Sequence, residues 1–282
     1  MELDDVSSMA QPARAPLRVA IAGLGAIGKV VARRIDKGLD GCRLVAVSAR
    51  NVVAAKEFLA DLESPVDIVP LEDLSTVADV IIEALPAAAF DALAEPALKA
   101  GRTLVVISVG TLVSRPHLFD MAREYGGCIV APTGALIGLD AVKAAAEGTI
   151  NSVRMVTHKP VKGLVGAPYL EQNNIDLAVI EGPTKVFEGT ARDAVQGFPA
   201  NVNVVAALSL AGIGPDRTMI EIWADPALDR NRHRITVDSD SAAFSMEIAN
   251  IPSVENPKTG KITALSIIAA LRNLSSPVRI GT

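Results

Sequence analysis

Three histidines, His117, His158 and His233, are the side chains of this chain whose ordinary pKa lies nearest neutrality, so each is a candidate acid or base. His117 follows Pro116 at the start of an expected helix, where a structural role is favoured. His158 ends an expected strand beside Lys159-Pro160 and can face either side of a sheet. His233 closes the polar connection Asp225-Pro226-Ala227-Leu228-Asp229-Arg230-Asn231-Arg232-His233, which enters a strand and gives it a catalytic reading. Lys159 and Lys162 would serve as bases only if burial depressed their pKa. The two cysteines, Cys42 and Cys128, read as small buried hydrophobes of a reducing compartment rather than as a disulfide. No spacing of His, Cys and carboxylates suits a metal, so none is expected. There is no Gly-x-Ser-x-Gly elbow and no phosphate loop ending in Gly-Lys-Ser/Thr.

The most specific local pattern is Gly23-Leu24-Gly25-Ala26-Ile27-Gly28, which follows an apolar strand and opens a helix. In that setting one glycine makes a tight turn, one lets backbone approach a pyrophosphate, and one lets helix meet strand. The helix N-terminus adds free N–H groups and the positive end of its dipole. Gly23, Gly25, Ala26, Ile27 and Gly28 are therefore expected to hold NAD or NADP. An NAD-selective site usually puts Asp or Glu at the end of the second strand. This chain has Ser48-Ala49-Arg50-Asn51 there, so Ser48 and Arg50 are candidates to bind a 2′-phosphate, with a plain surface charge the equal alternative for Arg50.

These residues need a scaffold. The first half alternates continuous apolar runs (17–22, 43–49, 66–69, 79–84, 103–109, 128–131) with helical patterns (27–36, 52–61, one near Glu72, 87–100, 115–125, 136–147). Strands apolar throughout belong to a parallel sheet buried on both faces, and the alternation implies a doubly wound Rossmann domain. Ligands then sit beyond the carboxyl ends of the strands, here Leu85-Pro86, Ser108-Val109-Gly110 and Pro132-Thr133-Gly134-Ala135. Pro86 alone reads as loop punctuation. The second half changes character, with strands expected at 149–158, 218–224, 233–238 and 242–248, a loop at 159–166 and an apolar helix at 202–211. The fold class is α/β: an N-terminal Rossmann doubly wound parallel sheet plus a C-terminal α+β domain with a mainly antiparallel sheet. The boundaries are a tail over 1–16, the dinucleotide domain over 17–140 and the substrate domain over 141–260. The segment 261–282, with a helix at 264–273, packs back on the first domain.

Composition bounds the rest. Half the residues are hydrophobic but only 3% aromatic, so the core is aliphatic and disorder is excluded. A net charge of −5 argues against nucleic acid as a partner. The most apolar stretch carries Asp79, Glu83 and Asp91 and is broken by Pro86, so no membrane partner is expected. The opening residues lack a basic segment followed by an apolar run, which gives a cytoplasmic expectation. An antiparallel sheet with one open face pairs readily across a two-fold axis, so a homo-oligomer is expected, a dimer before others.

Taken together, these stretches resemble the L-aspartate dehydrogenase family. The resemblance is carried by the glycine pattern, Ser108-Val109-Gly110, Thr133-Gly134-Ala135-Leu136-Ile137-Gly138-Leu139-Asp140 and Val186-Phe187-Glu188-Gly189-Thr190-Ala191-Arg192. Phe198-Pro199-Ala200-Asn201-Val202-Asn203-Val204, Ala224-Asp225-Pro226, Arg230-Asn231-Arg232-His233 and Glu255-Asn256-Pro257-Lys258-Thr259-Gly260 complete it. It implies that His233 is the active-site residue and that Ala135 and Asn203 contact the cofactor; Ser108, at one of the strand ends, is a further cofactor candidate. The implied reaction is reversible NAD(P)-dependent oxidation of L-aspartate to iminoaspartate, which yields oxaloacetate and ammonia. Its product feeds either NAD biosynthesis or aspartate breakdown. Arg230, Arg232, Arg234 and Lys159 are the cations available for a small dicarboxylate substrate. Departures are Thr133, Gly260 and His158, the last placing a histidine where it would alter the substrate pocket. The competing readings are another oxidoreductase on the same plan, homoserine dehydrogenase or dihydrodipicolinate-reductase-like, and a non-catalytic nucleotide-binding sensor.

Overall fold

The computed structural model describes residues 15–199, 202–253 and 259–281. Most of the expected 1–16 tail, Ala200, Asn201 and the stretch 255–258 lie outside the described residues.

The first half forms strands β1 (Leu17–Ala22), β2 (Cys42–Ser48), β3 (Asp67–Ile68), β4 (Val80–Glu83), β5 (Thr103–Val106) and β6 (Cys128–Val130). Between them run helices α1 (Ala26–Asp36), α2 (Val52–Ala60), α3 (Leu74–Val77), α4 (Phe90–Lys99), α5 (Gly110–Val113) and α6 (His117–Tyr125). The strands make one parallel sheet in the order β3-β2-β1-β4-β5-β6. The order reverses between β1 and β4, so their carboxyl ends open onto one crevice. All four residues of β4 are buried, as are the last four of β1, which is why these runs carry no polar alternation.

The second half starts with α7 (Leu139–Ala146) and β7 (Ile150–Lys159), followed by α8 (Pro168–Gln172), β8 (Thr184–Thr190), α9 (Ala191–Gly197) and α10 (Asn203–Ala211). Strands β9 (Thr218–Ala224), β10 (Arg232–Ser239) and β11 (Ala243–Ala249) complete a sheet ordered β11-β10-β7-β9-β8. Its pairings are antiparallel except β7 with β9. Helices α7, α9 and α10 share the apolar cluster of the inner face, whereas on the outer face β7 turns Arg154, Val156 and His158 away from that core.

The last helix, α11 (Lys261–Ser275), returns to the first domain. Its Ala264, Ile267, Ile268 and Leu271 are buried in one cluster with Val19 and Ile21 of β1, Val31 and Ile35 of α1, and Val47 of β2. The Ser275 hydroxyl also donates to Asp40 O, 2.9 Å away.

Expectations for the cysteines and for β5 need correcting. Cys128 is exposed at the start of β6 and Cys42 is half-buried, so neither is a fully buried hydrophobe. The strand expected over 103–109 stops at Val106, because the Ile107 and Ser108 N–H groups turn to the carboxylate of Glu83 instead of a neighbouring strand.

Candidate active site

The glycine turn makes the first half of the crevice. Gly23 has φ +100°, and a Cβ there would stand 2.3 Å from Ala84 O. A Cβ on Gly28 would stand 2.1 Å from Gly23 O, so helix and turn meet only through glycine. Among the described residues no atom lies within 4 Å of where a Cβ on Gly25 would stand, leaving the space beside the α1 N-terminus open. Among the described residues no side chain caps that terminus, and its first turn holds no acid, so its N–H groups are free for an anion. The three glycines thus divide the work a pyrophosphate cradle requires, and the residues fit a dinucleotide cofactor.

Gly23, Gly25, Ala26, Ile27, Gly28, Ser48 and Arg50 line one hollow, with Leu85 and Pro86 opposite. Pro86, which the sequence suggests is punctuation, therefore forms a wall of the nucleotide half. Arg50 is exposed and has no hydrogen bond or ion pair among the described residues, and no Asp or Glu lines the hollow with it.

Ile27 also borders a second hollow, between the domains. Its walls include Ile107, Thr133 and Ala135 from the Rossmann side, Asn203 at the start of α10, Lys159 and His233 from the second sheet, and Asn231 just before β10. Strand alternation turns these side chains inward. β7 buries Val153, Met155, Thr157 and Lys159 on one face and leaves Arg154 and His158 on the other. β10 buries His233, Ile235 and Val237. In register His233 stands opposite Thr157, whose Oγ1 is 2.7 Å from His233 Nδ1. His233 is 2% exposed and Nε2 has no hydrogen-bond partner among the described residues. Burial, with the nearby Lys159 charge second, pushes the His233 pKa down to about 3, so the ring is neutral at ordinary pH. Lys159 is 4% exposed, without an ion pair among the described residues, and burial alone lowers its pKa to about 8.

Several buried contacts hold this arrangement. Asn203 Oδ1 accepts from Gly110 N at 3.0 Å, tying α10 to α5. Asn250 Nδ2 donates to Ala135 O at 2.9 Å. Glu83, at the end of β4, accepts from the N–H groups of Leu85, Ile107 and Ser108 and from the Ser108 hydroxyl. Its burial raises its pKa, against those donors, which favour the charged form. Ser108 borders neither hollow; its hydroxyl faces Glu83 and the Leu85 carbonyl, so it sits beneath the crevice and stiffens the strand ends. Glu83 was not singled out from sequence, although a lone carboxylate ending an all-apolar strand was a signal for a built-in polar node.

The structure separates the histidines. His158 lies on the outer face, stacked on Trp223 with ring centroids 5.5 Å apart, so it does not enter the substrate pocket. His117 opens α6 on the surface, and Lys162 is exposed. Among the described residues no group of His, Cys, Asp and Glu is arranged to hold a metal, and no helix is long and apolar enough to cross a membrane.

Comparison with known proteins agrees across nearly the whole chain. Residues 140–274 match the family model described as aspartate dehydrogenase, C-terminal, and residues 23–132 match homoserine dehydrogenase, NAD binding domain. The L-aspartate dehydrogenase of Bradyrhizobium diazoefficiens is 54% identical over 96% of both chains. The chain belongs to the L-aspartate dehydrogenase family. L-aspartate dehydrogenase 3 of Bordetella bronchiseptica is 53% identical over 95% of this chain and 99% of its own. Among solved structures, aspartate dehydrogenase from Thermotoga maritima superposes with a TM-score of 0.68 at 24% identity, covering 94% of this chain and 99% of that one. Scyllo-inositol dehydrogenase from Lactobacillus casei, with bound NAD(H), reaches 0.52 at 14% identity over 91% of this chain and 87% of that one, a likeness of fold alone. As an L-aspartate dehydrogenase family member the chain is an oxidoreductase with an NAD(P) cofactor, and the homoserine name attaches to the cofactor half only.

Proposed function

We propose that this enzyme interconverts L-aspartate and iminoaspartate with His233 as the proton-transferring residue. The observation that carries the reading is a neutral, buried imidazole with Nε2 unpartnered, in a crevice that continues from a glycine-built nucleotide cradle. Gly23, Gly25, Ala26, Ile27, Gly28, Ser48 and Arg50 hold the adenosine and pyrophosphate parts, while Ala135 and Asn203 flank the nicotinamide. Ser108 contributes through Glu83.

A bound nicotinamide, flanked by Ala135 and Asn203, would supply the acceptor for the hydride that leaves substrate Cα in the oxidative direction. The amine must be neutral before that hydride leaves, and His233 accepts its proton. For this the ring carries its own proton on Nδ1, donated to Thr157 Oγ1, which leaves the Nε2 lone pair facing the crevice. Iminoaspartate then takes up water to give oxaloacetate and ammonia. The packed strand ends around Glu83 and the Asn203–Gly110 tie fix where the reacting carbon lies, and positioning supplies much of the remaining rate.

The finer assignments are part of the same proposal. Arg50, unpaired and without a competing acid in its hollow, lets the enzyme use NADP(H) at least as well as NAD(H). Residues 17–140 serve as the cofactor domain and 141–260 as the catalytic one. The outer face of the second sheet, with Val156, His158, Met219 and Trp223 among its charges, is offered as the surface of a homodimer. A cytoplasmic site of action and a supply of iminoaspartate to NAD biosynthesis belong here too.

The test is loss of NADH or NADPH absorbance when purified enzyme meets oxaloacetate with and without excess ammonium. Ammonium-dependent oxidation is expected. Cofactor binding without oxidation would overturn the reading in favour of a silent sensor, and ammonium-independent oxidation would make it a plain ketone reductase.

A further inference from the structure

A dicarboxylate must meet positive charge somewhere, and the structure narrows the choice. Arg230 faces Asp229 in an exposed connection, with its guanidinium donating to both carboxylate oxygens. Arg234 pairs with Glu247 across the outer face of the sheet. Arg232 is exposed and stands opposite His158 on that same face. None of the three lines the interdomain hollow. Lys159 does, and it and His233 are the titratable side chains among the described residues of its lining.

Lys159 is unusual in a second way. It is buried, and among the described residues its ammonium has neither hydrogen bond nor ion pair. An ammonium taken out of water without a counter-ion is strongly unfavourable unless a ligand completes it. The alternation of β7 places it on the same inward face as Thr157, two residues on, and therefore diagonal to His233 on the neighbouring strand. We propose that Lys159 is the anion-binding residue of the crevice and holds one carboxylate of the substrate beside His233. This rests on the aspartate dehydrogenase reading and supplies the substrate contact that reading lacks.

The pairing has a consequence for the base. Lys159 bears on His233 by charge, making protonation of the ring harder. A carboxylate seated on Lys159 offsets that charge, so His233 becomes a better proton acceptor when substrate is present. Among the described residues, the other groups that line the interdomain hollow around the pair are uncharged, including Ala135 from the Rossmann side, Asn203 of α10, Asn231, and Thr263 and Ser266 of α11. Asp225 is a neighbour through its N–H, which donates to Lys159 O at 2.9 Å; its Oδ1 accepts from Ala227 N, and with Arg232, Arg234 and Glu247 it borders the outer hollow, on the other side of His233.

The experiment compares wild type, Lys159→Met and Lys159→Arg. It reads KM for oxaloacetate at fixed ammonium, Ki for succinate as an unreactive dicarboxylate, and Kd for the reduced cofactor by its fluorescence. In Lys159→Met, KM and Ki should rise about 10- to 100-fold, as expected for loss of a charge-assisted contact, with the cofactor Kd unchanged. Arginine should restore part of the loss. In wild type, succinate binding should weaken by about tenfold per pH unit above the Lys159 pKa of about 8, as the ammonium loses its proton. Unchanged KM and Ki in a methionine variant that still binds cofactor would overturn the proposal. If that variant fails to fold, a succinate Ki independent of pH across that range overturns it instead. Failure of wild type to oxidise cofactor with oxaloacetate and ammonium would count against the function reading, and the succinate titration would still decide the role of Lys159.

Discussion

The two halves of the crevice are made of different material. The nucleotide half is backbone: glycines whose missing side chains leave room, and a helix end whose N–H groups point outward. The reacting half is side chain: Lys159, Asn203 and His233 brought from three separate elements and mostly buried. The cradle of the first is encoded within six consecutive residues, two of whose glycines, Gly23 and Gly28, admit no side chain. The second depends on two sheets meeting correctly and on which face each strand turns inward. A local motif therefore announces cofactor binding, whereas substrate chemistry appears only in the tertiary structure.

That contrast can be broken most severely at His233. His233→Ala should lower turnover by about 10²- to 10⁴-fold, the usual range for a proton-transfer group, with cofactor Kd intact. A loss of cofactor affinity of similar size would mean the halves are not separable. Next in size is the cost of the buried ammonium. Lys159 is at about 8 in the folded protein and near 10.5 when unfolded, so between those values the unfolded chain binds more protons and stability rises with pH. Calorimetry on the cofactor-free enzyme should show wild type gaining roughly 3 kcal/mol over Lys159→Met across that window.

Gly25→Ala comes third. Its Cβ meets no protein atom within 4 Å but fills the cradle, so cofactor affinity should fall about 10-fold or more with the melting temperature unmoved. Gly28→Ala should instead lower the melting temperature, because its Cβ collides with Gly23 O. Arg50→Ser should raise KM for NADPH relative to NADH by about tenfold, consistent with one lost charge-assisted contact. The smallest effect is expected at Thr157→Val, where removal of the hydroxyl beside His233 Nδ1 loosens the ring without removing it. A few-fold drop in turnover is predicted.

Legibility follows the same division. β1 lies at 17–22 as the apolar run indicates, because a strand buried on both faces has no competing pattern. The helix expected from 136 begins at Leu139, since Gly138 adopts φ +69° and sets the start. β8 left no clear trace: only Val186 and Phe187 are buried, the pairing with β9 slips between Lys185 and Phe187, and charged residues flank them. α9 did leave a signal, the capping box of Thr190 and Asp193. For the site, apolar Val153 and Met155 mark the buried face of β7, and counting on by twos reaches Lys159 rather than His158. What sequence could not supply is the partner across the gap, because Thr157 and His233 meet only once β7 and β10 pair.

The return of α11 also limits how this enzyme can be taken apart. Ile267 and Leu271 fill the Rossmann core although they follow the entire catalytic sheet in the chain, and each such burial is worth about 1.5–3 kcal/mol. A cofactor domain cut after residue 140 would lose that packing and present an apolar scar beside α1. Grafting the catalytic domain onto a foreign nucleotide-binding domain would meet the same obstacle from the other side, since the transplanted helix would find no matching groove. The unit of exchange is therefore the whole chain, a closed loop of dependence in which the last helix seals the first core.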